Sequence, residues 1–335
     1  MKIAIVKLSS LGDIIHGMIV LQFIKKYNQT IEIDWIVDET FAGLLEDQPD
    51  ISNIHVVKLK KAKQRKSISL FFNELGKLRK LDNYEIVIDM QGLVKSAIVA
   101  KLIPSNLTIG FDKFSVRESV SSFLYDKSFN IDYSENVILR NISLIENALE
   151  FSVLKENIYT KTPFLYSKRE YQLNSISADK KNILLIPGSS SSSKCYPLKK
   201  LATLTNLVDE NFLIIWGNSE EKQMAENIQK LSNNQNITIC DKLSLENLKS
   251  IVSQVDLVIG PDSGPTHMAW ALDIPSITLY GSTPGYRNSL STKNNRIIES
   301  ESKVNPYKID KNDFSIGDIK VNEIIDSVDD LLGRV

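Results

Sequence analysis

The chain has 335 residues, 42% hydrophobic and 24% charged, with a formal net charge of −1. That length accommodates two domains of ordinary size, and a near-neutral balance makes no global demand for nucleic acid. Two cysteines, Cys195 and Cys240, and three histidines without metal-ligand spacing argue against a disulfide framework or a metal centre.

No apolar stretch reaches the roughly 18 residues that span a bilayer. The opening run Met1-Lys-Ile-Ala-Ile-Val6 is too short for a signal-peptide core. A cytoplasmic protein is expected, one that touches a membrane only from inside.

Apolar runs alternate with amphipathic stretches along the chain. In the first half, 3–8 reads as a buried strand and 14–27 as the helix after it. Further strands are expected at 31–37, 54–57, 84–89 and 107–110, and helices at 71–81 and 93–102 from their 3.6-residue spacing. A helix over 136–149 closes this half. The pattern weakens over 151–180, and an inter-domain linker is placed near 160–178. It restarts with strands at 183–187, 212–216, 237–239, 257–259 and 276–280. Helices are expected at 198–208, 220–231, 245–253, 265–272 and 316–332. Such alternation predicts an α/β protein of two Rossmann-like, doubly wound domains facing across a cleft.

Two loops carry most of the chemistry. Lys7-Leu-Ser-Ser-Leu-Gly-Asp13 follows the first strand, and Gly260-Pro-Asp-Ser-Gly-Pro-Thr-His267 follows the strand at 257–259. Loops there lie at the carboxyl edge of a parallel sheet, where open α/β folds bind ligands. In the second loop, glycines permit close backbone approach and Pro265 suits the first turn of a helix. The N–H groups of that turn favour an anion such as a diphosphate. Asp262 would repel a diphosphate, so it is expected to hold the loop or to accept a hydrogen bond. His267 alone reads first as a buried structural histidine. In the first loop, Asp13 is either a helix cap or, facing a diphosphate site, a candidate general base.

Ile186-Pro-Gly-Ser-Ser-Ser-Ser-Ser-Lys194 lacks Walker A spacing, but its hydroxyls and Lys194 suit phosphate oxygens; the plain alternative is a mobile serine-rich loop. The run 58–66 holds six basic residues and no acid. It is either a solvated face or a grip for an anionic acceptor or lipid head groups. Without interleaved aromatic residues it is a poor nucleic-acid platform. Neither Asp-x-Asp nor Gly-x-Gly-x-x-Gly occurs, so neither a metal-bridged nucleotide site nor a dinucleotide dehydrogenase is expected.

Several ordered segments together resemble a known family. They are Ile5-Val-Lys-Leu-Ser-Ser-Leu-Gly-Asp13, Ile88-Asp-Met-Gln-Gly-Leu-Val-Lys-Ser-Ala97, Arg117-Glu118, Trp216-Gly217 with Glu220-Glu221, Lys242-Leu-Ser-Leu-Glu246, and Asp262-Ser-Gly-Pro-Thr-His267 continuing to Gly281. They resemble the heptosyltransferases of lipopolysaccharide core assembly, glycosyltransferase family 9, and favour the type I branch over type II. The resemblance implies the B-type glycosyltransferase fold and inverting, metal-independent transfer without a cofactor. The implied donor is ADP-L-glycero-β-D-manno-heptose and the implied acceptor is the Kdo of Kdo-lipid A. The setting it implies is cytoplasmic, peripheral to the inner face of the inner membrane, with no nucleic acid.

Residue by residue, the resemblance makes Asp13 the catalytic base and Lys194 the lysine at the donor phosphates. It places Ser10, Gly12, Asp262, Ser263, Gly264, Pro265, Thr266 and His267 around the donor, Glu221 at its ribose and Leu243 against its adenine. Lys60, Lys61, Lys63 and Arg117 fall on the acceptor side. The implied domains are 1–165 for the acceptor and 179–315 for the donor, with a terminal helix over 316–335 packing back on the first. Three departures stand out. Lysines replace arginines in the basic run, serines fill 189–193, and the spacing from Trp216-Gly217 to its acids is one residue short, so Glu220 is a substitute for Glu221. Rival readings are a type II or III enzyme, a nucleotide-sugar epimerase, and a non-catalytic nucleotide- or polyanion-binding protein.

Overall fold

The computed structural model describes residues 1–168, 171 and 175–334. Residues 169, 170 and 172–174 of the expected linker lie outside the described residues, as does Val335 of the expected tail. The chain divides into two compact units, Met1–Tyr166 and Ser167–Val335.

The first unit is built on β1 (Lys2–Val6), β2 (Glu32–Asp38), β3 (Asn53–Val57), β4 (Tyr84–Asp89), β5 (Ser105–Phe111) and β6 (Lys127–Phe129). All pair in parallel, in the order β3-β2-β1-β4-β5-β6. The second unit has β7 (Asn182–Leu185), β8 (Asn211–Ile214), β9 (Ile237–Ile239), β10 (Leu257–Pro261), β11 (Ser276–Tyr280) and β12 (Asn295–Glu299). These are also parallel, in the order β12-β11-β10-β7-β8-β9. Numbered from its own first strand, each sheet reads 3-2-1-4-5-6. The winding therefore reverses between β1 and β4 in one unit and between β7 and β10 in the other. At such a switch point two connections leave for opposite faces and open a crevice beyond the strand ends.

Central strands of a parallel sheet are covered on both faces and carry continuous apolar runs. Ile3, Ala4, Ile5 and Val6 are fully buried, as are Ile183, Leu184 and Leu185. Edge strands lack that signature. β6 and β12 begin with Lys127-Ser128 and Asn295-Arg296, and periodicity alone does not reveal them. The basic run, expected only as a charged stretch, forms the short helix Leu59–Gln64, which buries Leu59 and Ala62 beneath its lysines.

The helix expected over 14–27 is two, Leu11–Met18 and Val20–Tyr27. The first begins at Leu11 because Ser10, extended, occupies the N-cap position. Asp13 is thereby the third residue of the helix and not its cap. Gly17 in this helix is required by a close approach, since a Cβ there would lie 2.8 Å from Cδ of Lys7. The buried Lys7 ammonium donates to the Met90 carbonyl at 2.7 Å and to Asn141 Oδ1 at 3.3 Å.

Among the described residues, parts of the expected linker are tied to one unit or the other. Phe164 and Leu165 are buried, and Gln48 Nε2 donates to the Phe164 carbonyl at 2.8 Å. Beyond it, Tyr171 N–H donates to Ser250 Oγ and Ser177 N–H to Asn182 Oδ1, each at 2.8 Å.

The expected packing of the terminal helix on the first unit is corrected. The segment is a 3-10 turn, Ser315–Asp318, followed by the helix Val321–Leu331. Ile316, Ile319, Ile324 and Val328 join the core formed by Ile183, Leu185, Phe212, Ile214 and Ile277 of the second unit. Tyr196 Oη donates to the Ile319 carbonyl at 2.8 Å, and the Lys200 ammonium reaches the Gly317 and Ile319 carbonyls at 2.6 and 3.0 Å. Arg296 pairs with Asp330, and Arg334 with Glu210. The helix supplies an apolar face the second sheet would otherwise expose.

Ile324→Ala is therefore expected to destabilise the second unit by about 2–5 kcal/mol, through lost burial and a cavity. Hydrogen exchange should show lost protection confined to the strands of that unit; loss in β1 to β6 would contradict this packing.

Candidate active site

At the second unit's switch point, the loops after β7 and β10 meet around one buried carboxylate. Lys194 Nζ donates to Asp262 Oδ2 at 2.6 Å. Thr283 Oγ1 and Asn288 Nδ2, from beyond β11, donate to the same oxygen at 3.1 and 3.3 Å. On the other side, His267 Nε2 lies 3.0 Å from Asp262 Oδ1. Burial alone would raise the Asp262 carboxyl. The His267 hydrogen bond and the Lys194 charge outweigh it and hold the group well below the usual carboxylate range. Asp262 thus holds Lys194 in place, with its own charge offset before any anion arrives.

The serine-rich segment, for which a mobile loop was the plain expectation, is tied down. Ser189 Oγ donates to the Asp262 carbonyl at 2.8 Å. Ser193 Oγ lies 3.0 Å from Ser191 Oγ and 3.1 Å from Ser282 Oγ, and Ser192–Lys194 forms a 3-10 turn.

The helix Gly264–Leu272 starts here with Ser263 as its N-cap and Pro265 in its first turn. The expectation that 263–266 supplies a row of backbone donors narrows. Pro265 has no N–H, and the Ser263 N–H is 3.3 Å from Thr266 Oγ1, which itself donates to the Ser263 carbonyl at 2.7 Å. The capping box turns the Thr266 N–H to the Ser263 side chain, so Gly264 carries the remaining first-turn N–H. Gly260 also differs from expectation. A Cβ there would lie 2.7 Å from Cβ of Ile186, so this glycine serves the contact between neighbouring strands and not a ligand.

Glu221 borders the same loops. Asn218 caps the helix Ser219–Leu231, its Oδ1 accepting from Glu221 N–H at 3.0 Å. Glu221 turns back, and its Oε2 accepts from Gly217 N–H at 2.6 Å. A Cβ on Gly188 would sit 2.3 Å from Glu221 Cγ, so the glycine after β7 makes room for this side chain. Glu220, one position earlier, is exposed. Leu243 is half-buried before the helix Leu245–Val252.

In the first unit the loop after β1 is held by the loop after β4. Gln91 Oε1 accepts from Leu8 N–H at 2.7 Å and Ser9 N–H at 3.3 Å, and its Nε2 donates to Ser9 Oγ at 3.1 Å. Asp89 fixes Gln91 in turn, its Oδ1 accepting from Gln91 N–H at 2.8 Å and its Oδ2 from Tyr125 Oη at 2.8 Å. Burial pushes the Asp89 carboxyl up despite these bonds. Asp13 is exposed, and its Oδ2 accepts from Ser10 N–H at 3.0 Å and Ser10 Oγ at 2.8 Å. Gly12 is half-buried between them.

Of the basic residues, Lys60 and Lys63 are exposed and Lys61 half-buried. An acid absent from the run itself comes from the loop after β2. Glu39 lies 3.0 Å from Lys58 and 3.7 Å from Lys61, while Asp38 Oδ2 accepts from Lys60 N–H at 3.0 Å. Arg117 is exposed in the segment after β5.

The structure thus joins Asp262, Lys194 and His267, sets Ser263, Gly264, Pro265 and Thr266 on the adjoining turn, and keeps Ser10, Gly12 and Asp13 on the β1 loop. Thr283, Asn288 and Gln91 are missed by the sequence reading. The Gly281-Ser-Thr-Pro-Gly285 turn directly after a strand is the one signal for the first two. Gln91 stands inside a motif already singled out, without a role. Among the described residues no cluster of three or more His, Cys, Asp or Glu could hold a metal ion.

The sequence model of glycosyltransferase family 9 (heptosyltransferase) matches residues 74–314. A lipopolysaccharide heptosyltransferase 1 of Campylobacter coli is 42% identical, over 99% of each chain. The lipopolysaccharide heptosyltransferase 1 of Escherichia coli K12 is 26% identical, over 85% of this chain and 89% of its own. Among solved structures, the E. coli heptosyltransferase WaaC with ADP superposes with a TM-score of 0.80 at 22% identity, covering 99% of this chain and 100% of that one. A family 9 glycosyltransferase from Veillonella parvula gives a TM-score of 0.81 at 18% identity, covering 100% and 98%. These likenesses show the fold, the B-type two-Rossmann architecture.

Because the folded state holds Asp262 ionised below its unfolded value, its stabilisation is complete above the ordinary aspartate range and is lost as pH falls through the folded value. Asp262→Asn should cost about 3–5 kcal/mol at neutral pH, since Lys194 and His267 lose their charged partner. In urea titrations the gap should hold from pH 7 to pH 5 and narrow by about 1 kcal/mol at pH 3. A gap independent of pH would mean the carboxylate charge does not matter.

Proposed function

The chain belongs to glycosyltransferase family 9, the heptosyltransferases, and on that premise we propose that it transfers L-glycero-D-manno-heptose from ADP-heptose to the Kdo of Kdo-lipid A in lipopolysaccharide inner-core assembly. The observation that carries this reading is full-length similarity to a type I enzyme, joined to an anion-ready turn at the second unit's switch point. The reading includes a cytoplasmic enzyme lying on the inner face of the inner membrane, where a lipid-linked acceptor is found. Residues 1–165 are read as the acceptor domain and 179–315 as the donor domain.

Transfer is read as a single inverting displacement without a metal. The acceptor hydroxyl forms its bond to the anomeric carbon as the bond from that carbon to the diphosphate oxygen breaks, so a β-linked donor gives an α-linked product. ADP leaves with the electron pair. The ammonium of Lys194 and the backbone N–H of Gly264 stabilise the charge growing on the diphosphate, the largest type of term open to such a site. Asp262 and His267 keep Lys194 and the turn in place. Asp13 takes the acceptor proton. Its Oδ2 already accepts two bonds from Ser10, which makes Oδ1 the oxygen that receives the proton. A sugar hydroxyl becomes acidic only as the new bond forms, so a carboxylate in position suffices.

Glu221 and not Glu220 is assigned to the ribose, because its carboxylate lies against both Gly188 and Gly217. Leu243 is assigned to the adenine face. Lys60, Lys61, Lys63 and Arg117 are assigned to the anionic acceptor; as lysines, the first three offer point charges and not a bidentate grip.

The deciding assay is transfer from ADP-heptose to Kdo-lipid A, with mass and linkage analysis of the product and EDTA present throughout. One α-linked heptose on Kdo is expected. Transfer only to an acceptor already carrying heptose would make this a type II enzyme, and an isomerised donor without acceptor would make it an epimerase. In that assay Asp13→Asn should lower kcat by about 100-fold to 10,000-fold with ADP affinity near that of the wild type. Lys194→Ala should raise the ADP dissociation constant and lower kcat together. Wild-type turnover in Asp13→Asn would remove it as the base.

A further inference from the structure

Six large apolar side chains of the first unit are more than 60% exposed: Phe123 80%, Ile68 74%, Phe114 72%, Leu154 66%, Phe72 64% and Val120 61%. Four of them lie on segments that pack on one helix. Ile68 and Phe72 lie on the helix Ile68–Leu78, which packs on the helix Val94–Leu102. The 3-10 segment Ser119–Leu124, with Val120 and Phe123, packs on that same helix from its other flank. Glu118 Oε2 accepts from Val94 N–H at 2.7 Å and fixes the segment to the start of the helix. Phe114 stands on a turn closed by Asp112, whose Oδ1 accepts from the N–H groups of Phe114 and Ser115 at 3.0 Å each. An exposed aromatic on an ordered turn meets a partner without paying to order the loop first.

Cations stand at both ends of this strip. The helix Leu59–Gln64 and the two residues after it precede Ile68 directly, bringing Lys60, Lys63, Arg65 and Lys66 to one end. Among the described residues, no acid lies within ion-pair distance of Lys63, Arg65 or Lys66. At the other end Lys113 stands over the Phe114 ring at 4.9 Å, and Arg117 is exposed nearby. The local acids are engaged: Glu118 by Val94, Asp126 by Lys101 at 2.6 Å, Glu39 by Lys58. Apolar side chains protruding from separate elements, with cations at both ends, suit a soft anionic surface better than the closed groove a peptide would need.

We propose that Ile68, Phe72, Phe114, Val120 and Phe123, with the basic run 60–66 and Lys113, dock the first unit on an anionic phospholipid bilayer, the rings entering the head-group region and the cations lying over the phosphates. The proposal rests on the lipid-linked acceptor read above and adds the surface that meets the membrane.

The test uses the full chain and sedimentable vesicles of phosphatidylethanolamine containing phosphatidylglycerol, against vesicles of phosphatidylcholine alone. Binding should favour the anionic vesicles and weaken with salt. The triple variant Phe72→Ser, Phe114→Ser, Phe123→Ser should lower that binding by about tenfold or more. It should still transfer heptose to a water-soluble, acyl-free Kdo acceptor at the wild-type rate, whereas Leu207→Ser, at an exposed apolar position of the second unit, should change neither. The proposal falls if the wild type ignores anionic vesicles, including the case where the strip serves a protein partner. It falls too if the triple variant sediments like the wild type, or loses soluble-acceptor transfer in step with vesicle binding. A wild type that binds vesicles but transfers no heptose would sink the enzymatic reading and leave the docking surface intact.

Discussion

The carboxylate of Asp262 is buried, and a buried charge must be answered by its surroundings or the fold bears a penalty of several kcal/mol. Here the answer comes from three connections. Lys194 arrives from the loop after β7, His267 from the helix after β10, and Thr283 and Asn288 from beyond β11. None of these side chains finds its place until the strands beneath are in register, so the cluster and the sheet specify one another. Because the group stays ionised, Lys194 is held beside a helix N-terminus, where backbone dipoles already favour negative charge. Binding chemistry and loop order in the second unit are one arrangement.

The first unit holds its loop through an amide. Gln91 bridges to the β1 loop through both ends of its amide, and Asp89 fixes Gln91 from below with help from Tyr125. Asp13 itself is exposed and, among the described residues, held by Ser10. A rigid floor under an accessible carboxylate suits the base role proposed for Asp13. The two switch points thus use a common topology for different ends: one grips charge, the other presents an acid on a fixed loop.

How much of this was legible follows from where each signal resides. The central strands were plain because both their faces are covered, and the loops after β1, β7 and β10 were plain because glycine, proline and polar residues follow those strands. Asp13 was seen, but its place in the helix depended on whether the helix began at Leu11 or at Ile14. The backbone at Ser10 makes it the third residue. Glu220 and Glu221 could not be told apart in sequence because they differ by one residue of offset. With Asn218 as the N-cap, the third helical position, Glu221, turns back toward the cap and Glu220 stays exposed. Thr283 and Asn288 stayed hidden because their partner is over twenty residues away and any of several hydroxyls or amides nearby was an equal candidate. The edge strands β6 and β12 were missed for a general reason: half-solvated strands with lysine and asparagine carry no periodic mark.

The helix Val321–Leu331 closes the second core with Ile324 and Val328, beneath strands that start near Asn182. During synthesis the first unit can collapse once Phe164 and Leu165 leave the ribosome. The later half must wait, sheet assembled and one flank bare, until its closing helix has been made. Its vulnerable interval is set by the pace of translation over some 140 residues rather than by its own folding rate, and a chaperone that shields a nascent apolar flank would meet this protein there.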